Sequence, residues 1–530
     1  MKNIQYLYTL LMVISFGLFT SCTDDLNQTP VKQVTSASVY ANAANYKSVM
    51  AKAYASLAIA GQEKGDGNTD LGGKTSNGYL RIYFNLQELP TDEAIYTWAG
   101  GDALTKIQFV KWDATDEWVS GMYYRIYYTV ALCNEFLRNA TDDKIAKFTD
   151  TEIADIKSYR AEVRFLRALV YSHALDLFGN VPFVTESDPV GAFFPPRKTR
   201  AELFTYVESE LKAVSEELPL PQANEYGRAG RAASWALLAK LYLNAKVYTG
   251  TERNTDCISY CSKVIGGGYS LEPTYKNLFN ADNDKRTNEI IFPVEADGQH
   301  TTTWGGTTYL VCGPIVGSMV ASDYGVQTGW GSIRTRKQFV NQFADITGAT
   351  DKRASFYTNG QTLDILDPTL KTDGYAIVKY TNKTAAGANG SNYADGLVDT
   401  DFPMIRFADV YLMYAEAVVR GGTGGDKGTA VNYINLIRNR AYGNASGNIA
   451  ESDLTLDFLL AERARELYWE CTRRTDLIRF GKFTGSSYVW QWKGGVKDGM
   501  TVDEKYNLFP IPAADLAANP NLIQNEGFKN

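Results

Sequence analysis

The sequence predicts a mostly α-helical protein, in which a scaffold of stacked helix pairs carries a loop-rich part and a few short strands. Apolar side chains recur at the helical period in several blocks of the chain. Long stretches rich in Gly, Thr, Asn and Asp separate these blocks, and their tryptophans argue against disorder. A composition of 45% apolar and 21% charged residues is typical of a globular protein with a sizeable core.

The chain opens with the features of an export signal. Lys2 precedes an apolar stretch from about Tyr6 to Phe19, and Thr20-Ser21-Cys22 follows as a small-residue cleavage site. The apolar stretch is too short to span a membrane as a helix. We therefore predict a lipoprotein signal peptide over residues 1–21, with the lipid on Cys22, and a flexible polar tether over residues 22–34. An ordinary signal peptide with an incidental cysteine is the alternative.

The clearest helices lie in the middle of the chain. An apolar stripe runs from Tyr159 to Phe178, and Gly179 is placed to end that helix. A second stripe runs from Arg228 to Tyr248, and a shorter helix follows at about Asp256 to Val264. This arrangement resembles a tetratricopeptide helix pair. Unrelated antiparallel helix pairs remain possible, because no 34-residue period is strict.

The pattern recurs near the C-terminus. One helix is predicted from Ile405 to Val419, a second from Ala430 to Arg440, and a third from about Leu456 to Phe480. The third helix interleaves acidic and basic residues, which predicts ion pairs along one helix face. The acidic residues are Glu462, Glu466 and Glu470, and the basic residues are Arg463, Arg465, Arg473 and Arg474.

Residues 35–530 are thus predicted to form a single body. Its helix-pair scaffold lies mainly in residues 36–60, 120–265 and 403–480, and its ligand-binding loops lie mainly in residues 61–119 and 270–402. Short strands are predicted at Glu289 to Val294 and at Ala376 to Tyr380.

The sequence lacks the residues that several classes of function require. The net charge of −7 and the absence of a basic run argue against nucleic acid. The chain has two histidines, no nucleophile elbow and no phosphate loop, so we predict no bound cofactor and none of the enzyme classes that need these motifs. A glycosidase needs only two carboxylates at a set separation, and the 60 acidic residues leave that class open. His173 is predicted to be a packed helical residue. Asp282-Asn283-Asp284 could contribute to a structural calcium loop, although it lacks the pattern of an EF-hand.

The five cysteines after Cys22 are few and scattered, which does not indicate a disulfide framework. We predict that all of them are small buried apolar groups. They are Cys133, Cys257, Cys261, Cys312 and Cys471.

The positive functional signal is the set of tryptophans in loops. Tyr96 and Trp98 share one face of an extended segment, next to Asp102. Trp304 and Trp330 stand beside glycines, where the backbone can turn sharply and leave an indole exposed. An exposed indole can stack on the apolar C–H face of a sugar. Core packing is the alternative for any one of these rings.

Several segments resemble the SusD/RagB family of Bacteroidetes surface glycan-binding lipoproteins, and Thr23-Asp24-Asp25 resembles their export signal. The matching segments are Glu162–Leu169, Asp176–Pro182, Leu237–Ala245, Arg406–Val410, Tyr414–Ala417, Glu466–Leu467, Arg473–Leu477, Arg479–Lys482, Phe509–Pro512 and Asn519–Leu522. Within the family, Glu88–Glu93, Thr308–Gly313 and Trp492–Gly495 are most similar to the starch binders.

This resemblance implies a superhelix of four tetratricopeptide-like pairs and no catalysis. It also implies a lipid-anchored protein on the cell surface that captures glycan for a SusC-like, TonB-dependent outer-membrane transporter. The implied ligand is an α-glucan such as starch fragments or dextran, stacked on Trp98, Trp304 and Trp330, with Arg81 as a hydroxyl donor. Tyr96 and Trp304 replace other aromatics of the starch binders, and Asp102 substitutes for an amide missing at Gly101. A surface glycoside hydrolase and a peptide-binding member of the family are the alternatives.

Overall fold

A computed structural model describes residues 35–529. Cys22, the predicted signal peptide and the predicted tether lie outside these residues. The chain divides into two compact units, one ending at Tyr46 and the other beginning at Lys47. The described part of the first unit opens with a capping box, in which the Thr35 hydroxyl accepts a hydrogen bond from the Ser38 amide and the Ser38 hydroxyl accepts one from the Thr35 amide.

Residues 35–529 contain eighteen α-helices and ten short strands. The helices, in chain order, are α1 Ser36–Val39, α2 Ala44–Ala58, α3 Tyr79–Glu88, α4 Thr105–Gln108, α5 Glu117–Asn139, α6 Asp142–Ile145, α7 Asp150–Leu177, α8 Arg200–Glu217, α9 Arg231–Leu243, α10 Ala245–Thr249, α11 Asn254–Ile265, α12 Thr307–Cys312, α13 Lys337–Val340, α14 Phe407–Val419, α15 Lys427–Tyr442, α16 Leu456–Leu467, α17 Arg473–Arg479 and α18 Ala513–Ala518. The strands are β1 Gly61–Glu63, β2 Gly67–Thr69, β3 Ile95–Tyr96, β4 Val181–Pro182, β5 Arg197–Lys198, β6 Ile290–Val294, β7 Ile333–Arg334, β8 Phe356–Tyr357, β9 Ala376–Ile377 and β10 Phe402–Arg406.

The predicted fold class is confirmed. Helix α5 packs on α7, α7 on α8, α8 on α9, α9 on α11, α11 on α14 and α14 on α15, so helices that follow in the chain are neighbours in the tetratricopeptide-like scaffold. Helix α7 begins nine residues before the predicted start at Tyr159, because a capping box of Thr149 and Glu152 begins it at Asp150. The predicted helix Arg228 to Tyr248 is shorter and breaks at Asn244.

The predicted third C-terminal helix is wrong as a single element. Helix α16 ends at Leu467 and α17 begins at Arg473, and between them Trp469 and Cys471 adopt left-handed backbone angles. Glu93 explains part of the break, since it accepts hydrogen bonds from both the amide and the indole Nε1 of Trp469, at 3.0 and 3.1 Å. These tertiary bonds replace the helical ones.

The acidic residues of this region form a buried ion network, which corrects the prediction of pairs along one helix face. Arg406, at the end of β10, donates to Glu289, Glu466 and Glu470, at 2.9, 2.6 and 2.6 Å. All four side chains are buried. Of the predicted pairs within one helix, Arg465 with Glu462 is present. The network therefore joins a strand, two loops and helix α16 rather than lining a solvated surface.

The predicted loop region 61–119 contains an unpredicted helix, α3, in which nearly every side chain is buried. After it the chain turns around Arg336, whose guanidinium donates to the carbonyl oxygens of Leu89, Thr91, Ala94 and Gln108. A fully buried arginine thus satisfies four carbonyls of an irregular segment. The predicted strand Glu289 to Val294 is present as β6, one residue shorter, whereas only the first two residues of the predicted strand Ala376 to Tyr380 are in a strand, β9.

The predictions for the isolated polar residues are confirmed where the structure tests them. All five cysteines are free and buried. His173 is buried, with its Nδ1 2.7 Å from the Tyr79 hydroxyl and its ring stacked on Tyr83. Between residues 35 and 529, no His, Cys, Asp and Glu side chains gather in a set of three that would suit a metal ion, so calcium at Asp282–Asp284 stays a prediction. Within the same range, no helix has the length and apolarity needed to cross a membrane.

Candidate functional site: an aromatic platform

A two-stranded ladder brings the tryptophan loops together. Strand β3 pairs antiparallel with β7, with Ile95 opposite Arg334 and Tyr96 opposite Ile333. Just beyond the ladder, the amide of Thr97 donates to the Ser332 carbonyl oxygen at 2.8 Å. The Thr97 hydroxyl donates to the Gly331 carbonyl oxygen, also at 2.8 Å. The Trp98 loop and the Trp330 loop are distant in sequence, and these hydrogen bonds hold them side by side.

Five aromatic rings form a continuous series, which we call the aromatic platform. It runs in the order Trp98, Tyr96, Tyr309, Trp330 and Trp304, with neighbouring ring centroids 6.1, 6.2, 6.2 and 6.5 Å apart. The two end rings, Trp98 and Trp304, are each 41% exposed, and Trp330 is half-buried. The platform therefore presents the Trp98 and Trp304 indoles, and part of the Trp330 indole, to solvent.

Tyr96 and Tyr309 support the platform from within the core. Tyr96 is 1% exposed, so its ring has no free face in this structure. Burial raises the pKa of Tyr96 well above its usual value, so the hydroxyl keeps its proton and donates to Asp102 Oδ2 at 2.6 Å. Tyr309 donates its own hydroxyl proton to Asn85 Oδ1 at 2.9 Å.

The two predicted polar residues lie at the Trp98 end of the platform. Arg81 stacks its guanidinium over Tyr309, 4.4 Å from the ring centroid, and lies 3.5 Å from Asp102 Oδ2. The side chain of Asp102 is 35% exposed, whereas that of Arg81 is 14% exposed. Asp102 can therefore accept hydrogen bonds from a bound hydroxyl, while the less exposed Arg81 mainly orients Asp102 and Tyr96. The structure thus brings all six predicted residues of the folded body to one site.

The Trp304 end is held by the β1–β2 hairpin. Asp66, at the turn, accepts hydrogen bonds at Oδ2 from the Trp304 amide and the Thr303 hydroxyl, at 2.8 and 2.9 Å. Gly65 lies so close to the Trp304 indole that a Cβ there would be 2.7 Å from Nε1. A side chain at Gly65 would displace the ring, so the hairpin and Trp304 form one packed unit.

Asp66→Asn is expected to weaken binding of the glycan that the family resemblance implies about two- to fivefold, the equivalent of one lost hydrogen bond. Asparagine tolerates the left-handed backbone of Asp66 (φ 65°). However, one carboxylate oxygen becomes an amide nitrogen, which cannot accept from the amide of Ala60 or of Trp304. Titration calorimetry with maltoheptaose measures the loss. Asp395→Asn is the control: it removes the charge from the exposed pair that Asp395 forms with Lys64 of the same hairpin, and it should leave the affinity unchanged.

Sequence reasoning missed two residues of this site. Tyr309 joins the two halves of the platform, but it lies in the short helix α12, where a tyrosine looks like any core residue. Lys371 places its ammonium 5.5 Å from the centroid of the Trp98 ring. No local pattern distinguishes Lys371, because the loop that carries it is brought to the platform by Arg334, which donates to the carbonyl oxygens of Leu370, Asp373 and Pro368.

Two family descriptions match this chain. Residues 357–528 match the SusD family, and residues 73–243 match the family described as starch-binding and associating with the outer membrane. The starch-binding protein SusD of Bacteroides thetaiotaomicron is 36% identical over 578 aligned positions, which cover 100% of both chains. A SusD-like protein of Bacteroides ovatus is 25% identical over 428 positions, covering 76% of this chain and 74% of the relative.

Solved structures share the fold. Surface glycan-binding protein A of Bacteroides thetaiotaomicron, in complex with laminarihexaose, superposes with a TM-score of 0.69 and 20% identity over 91% of this chain and 99% of that one. A SusD superfamily protein of Parabacteroides distasonis superposes with a TM-score of 0.69 and 22% identity, over 93% of this chain and 100% of that one. Because the similarity to the Bacteroides thetaiotaomicron protein extends over both full chains at 36% identity, this protein belongs to the SusD family.

Proposed function

We propose that this protein binds an oligo- or polysaccharide at the cell surface, with the aromatic platform as the binding site. The observation that carries the proposal is the series of five rings with exposed indoles at both ends. Each indole can stack on the C–H face of one sugar unit, and a series of indoles can bind consecutive units of one chain. Removal of several such indole faces from water on binding supplies affinity, and no chemically reactive group is needed for it.

The polar groups of the site suit hydroxyls. Asp102 offers a half-exposed carboxylate as an acceptor, and Lys371 offers an ammonium as a donor beside Trp98. The partners of Asp102 are Tyr96 and Arg81, which hold its carboxylate in place. A preorganised acceptor loses little entropy when it binds a hydroxyl.

An α-glucan, either a starch fragment or dextran, is the ligand that we propose. The support is the full-length likeness to a relative named as a starch-binding protein. We further propose delivery of the glycan to a SusC-like, TonB-dependent transporter in the outer membrane, with a lipid on Cys22 as the anchor. The match of residues 73–243 to a family described as associating with the outer membrane supports this location.

Titration calorimetry against maltoheptaose, a dextran oligosaccharide and laminarihexaose tests the proposal. We expect binding to one or both α-glucans. Chromatography of the same mixtures after long incubation at high protein concentration should show no shorter sugars. Failure to bind any of the three glycans would contradict glycan binding by this site, and release of shorter sugars would instead favour the surface glycoside hydrolase. Binding of a peptide mixture without binding of glycan would favour the peptide-binding alternative.

A further inference from the structure

A second depression opens beside the aromatic platform, and we call it the side pocket. It has a volume of about 360 Å³, within the range of small-ligand sites. Its lining includes Val316, Met319, Gln327, Thr328, Trp330 and Lys371. Trp330 belongs to the platform, and Lys371 stands over its Trp98 end, so the pocket and the platform share walls.

The lining combines apolar surface with free polar groups. Val316 and Met319 are buried and form apolar floor, next to the half-buried Trp330 ring. Gln327 and Thr328 are exposed, and neither side chain is hydrogen-bonded to another of residues 35–529. Within that part of the chain, the Lys371 ammonium pairs with no carboxylate. An apolar floor with uncommitted amide, hydroxyl and ammonium groups at its edge matches a single sugar unit, which has a C–H face and a rim of hydroxyls.

The walls of the side pocket are fixed by the backbone. The Trp330 amide donates to the Cys312 carbonyl oxygen at 2.8 Å, and the Gly331 amide donates to the Ile315 carbonyl oxygen at 2.9 Å. Next to Gly331, the buried Arg334 holds the loop that carries Lys371. The pocket is therefore formed before any ligand arrives, which lowers the entropy lost on binding.

The position of the side pocket decides which sugar unit could reach it. Its wall includes Trp330, an interior ring of the series, but neither end ring, Trp98 or Trp304, lines it. The pocket thus opens along the flank of the platform rather than beyond one end. A unit in the pocket would be attached to the middle of a chain that lies on the platform, as a branch is.

We propose that the side pocket is a second sugar subsite, which takes a glycosyl branch of a glycan whose main chain occupies the platform. This inference rests on the proposed function. Titration calorimetry compares linear maltoheptaose with maltoheptaose that carries one α-1,6-linked glucose on an inner unit. The parent protein should bind the branched sugar about three- to tenfold more tightly, the gain of one or two hydrogen bonds and a small apolar contact.

The double variant Gln327→Ala/Thr328→Val removes two free polar groups of the pocket from an exposed loop. It should lose most of the preference for the branched sugar, because the apolar floor and Lys371 remain but two hydrogen-bonding groups are gone. Its affinity for linear maltoheptaose should stay within about twofold of the parent value, which is less than the effect of one hydrogen bond. Thr151→Val, an exposed threonine on α7 outside the site, should keep the preference for the branched sugar. A parent protein that binds linear maltoheptaose without any preference would overturn the subsite alone. The subsite would also be wrong if the double variant kept the parent's preference. A parent protein that binds neither sugar would contradict the proposed function and the subsite together.

Discussion

Arg406→Met is expected to lower the free energy of unfolding by about 3–5 kcal/mol, the usual result of removing one partner from a buried ion network. Arg406 is 1% exposed and donates to three buried carboxylates, Glu289, Glu466 and Glu470. Methionine fills part of the space but leaves these negative charges close together with fewer positive partners. Urea denaturation of the variant and the parent, followed by circular dichroism, measures the difference.

The control for this prediction is an exposed ion pair. Lys106 and Asp113 contact each other at 2.5 Å, and about half of each side chain is exposed. Because water screens such a pair, Lys106→Met should change the free energy of unfolding by less than about 1 kcal/mol. Equal losses for Arg406→Met and Lys106→Met would show that the buried network does not stabilise the fold in the way we expect.

The network also predicts how stability depends on pH. Burial alone would raise the pKa of Glu466, but the guanidinium groups of Arg440, Arg406 and Arg353 outweigh it and hold the pKa at about 2. A carboxyl with a lowered pKa in the folded state stabilises the fold at neutral pH and loses that contribution as the pH falls from about 4 towards 2. The difference in unfolding temperature between the parent and Glu466→Gln should therefore shrink between pH 7 and pH 3. A difference that stays constant would contradict the assigned pKa.

The same residues show where sequence reasoning stops. The spacing of Glu462, Glu466 and Glu470 suggested partners on their own helix, because a sequence pattern reveals only neighbours a few residues away. Partners such as Arg353 and Arg406 come from distant segments that folding brings together. The sequence does not reveal the helix break after Leu467 for a similar reason, because the Trp469 amide in this break donates its hydrogen bond to the distant Glu93.

The candidate site was easier to predict at its surface than beneath it. Trp304 and Trp330 could be singled out because the glycines beside them permit turns that only glycine makes easily, such as the left-handed Gly331 (φ +59°). Tyr309 and Lys371 could not, because their place at the platform depends on a tertiary contact. Local chemistry thus predicts which side chains can meet a ligand, whereas the groups that join and orient them become visible only in the folded chain.

Trp98→Ala and Trp330→Ala are each expected to weaken binding of a long α-glucan by about 1–3 kcal/mol, by analogy with the loss of an aromatic ring that stacks on a nucleic-acid base. The Trp98→Ala substitution removes an exposed indole face at one end of the platform. The Trp330→Ala substitution removes a ring that borders both the platform and the side pocket. Retardation on a starch or dextran affinity gel and titration calorimetry with maltoheptaose measure the effect. Phe194→Ala is the matched control, because Phe194 is an exposed aromatic outside the ring series and should not contribute.

The double variant Trp98→Ala/Trp330→Ala distinguishes a platform from a single stacking site. The two rings are not neighbours in the series, since Tyr96 and Tyr309 lie between them, so each should stack on a different sugar unit. Their losses should then add to within about 0.5 kcal/mol for maltoheptaose, as for independent sites. A double variant that binds no more weakly than the weaker single variant would mean that one ring carries the interaction. If both single variants migrate like the parent protein on the affinity gel, the glycan binds elsewhere.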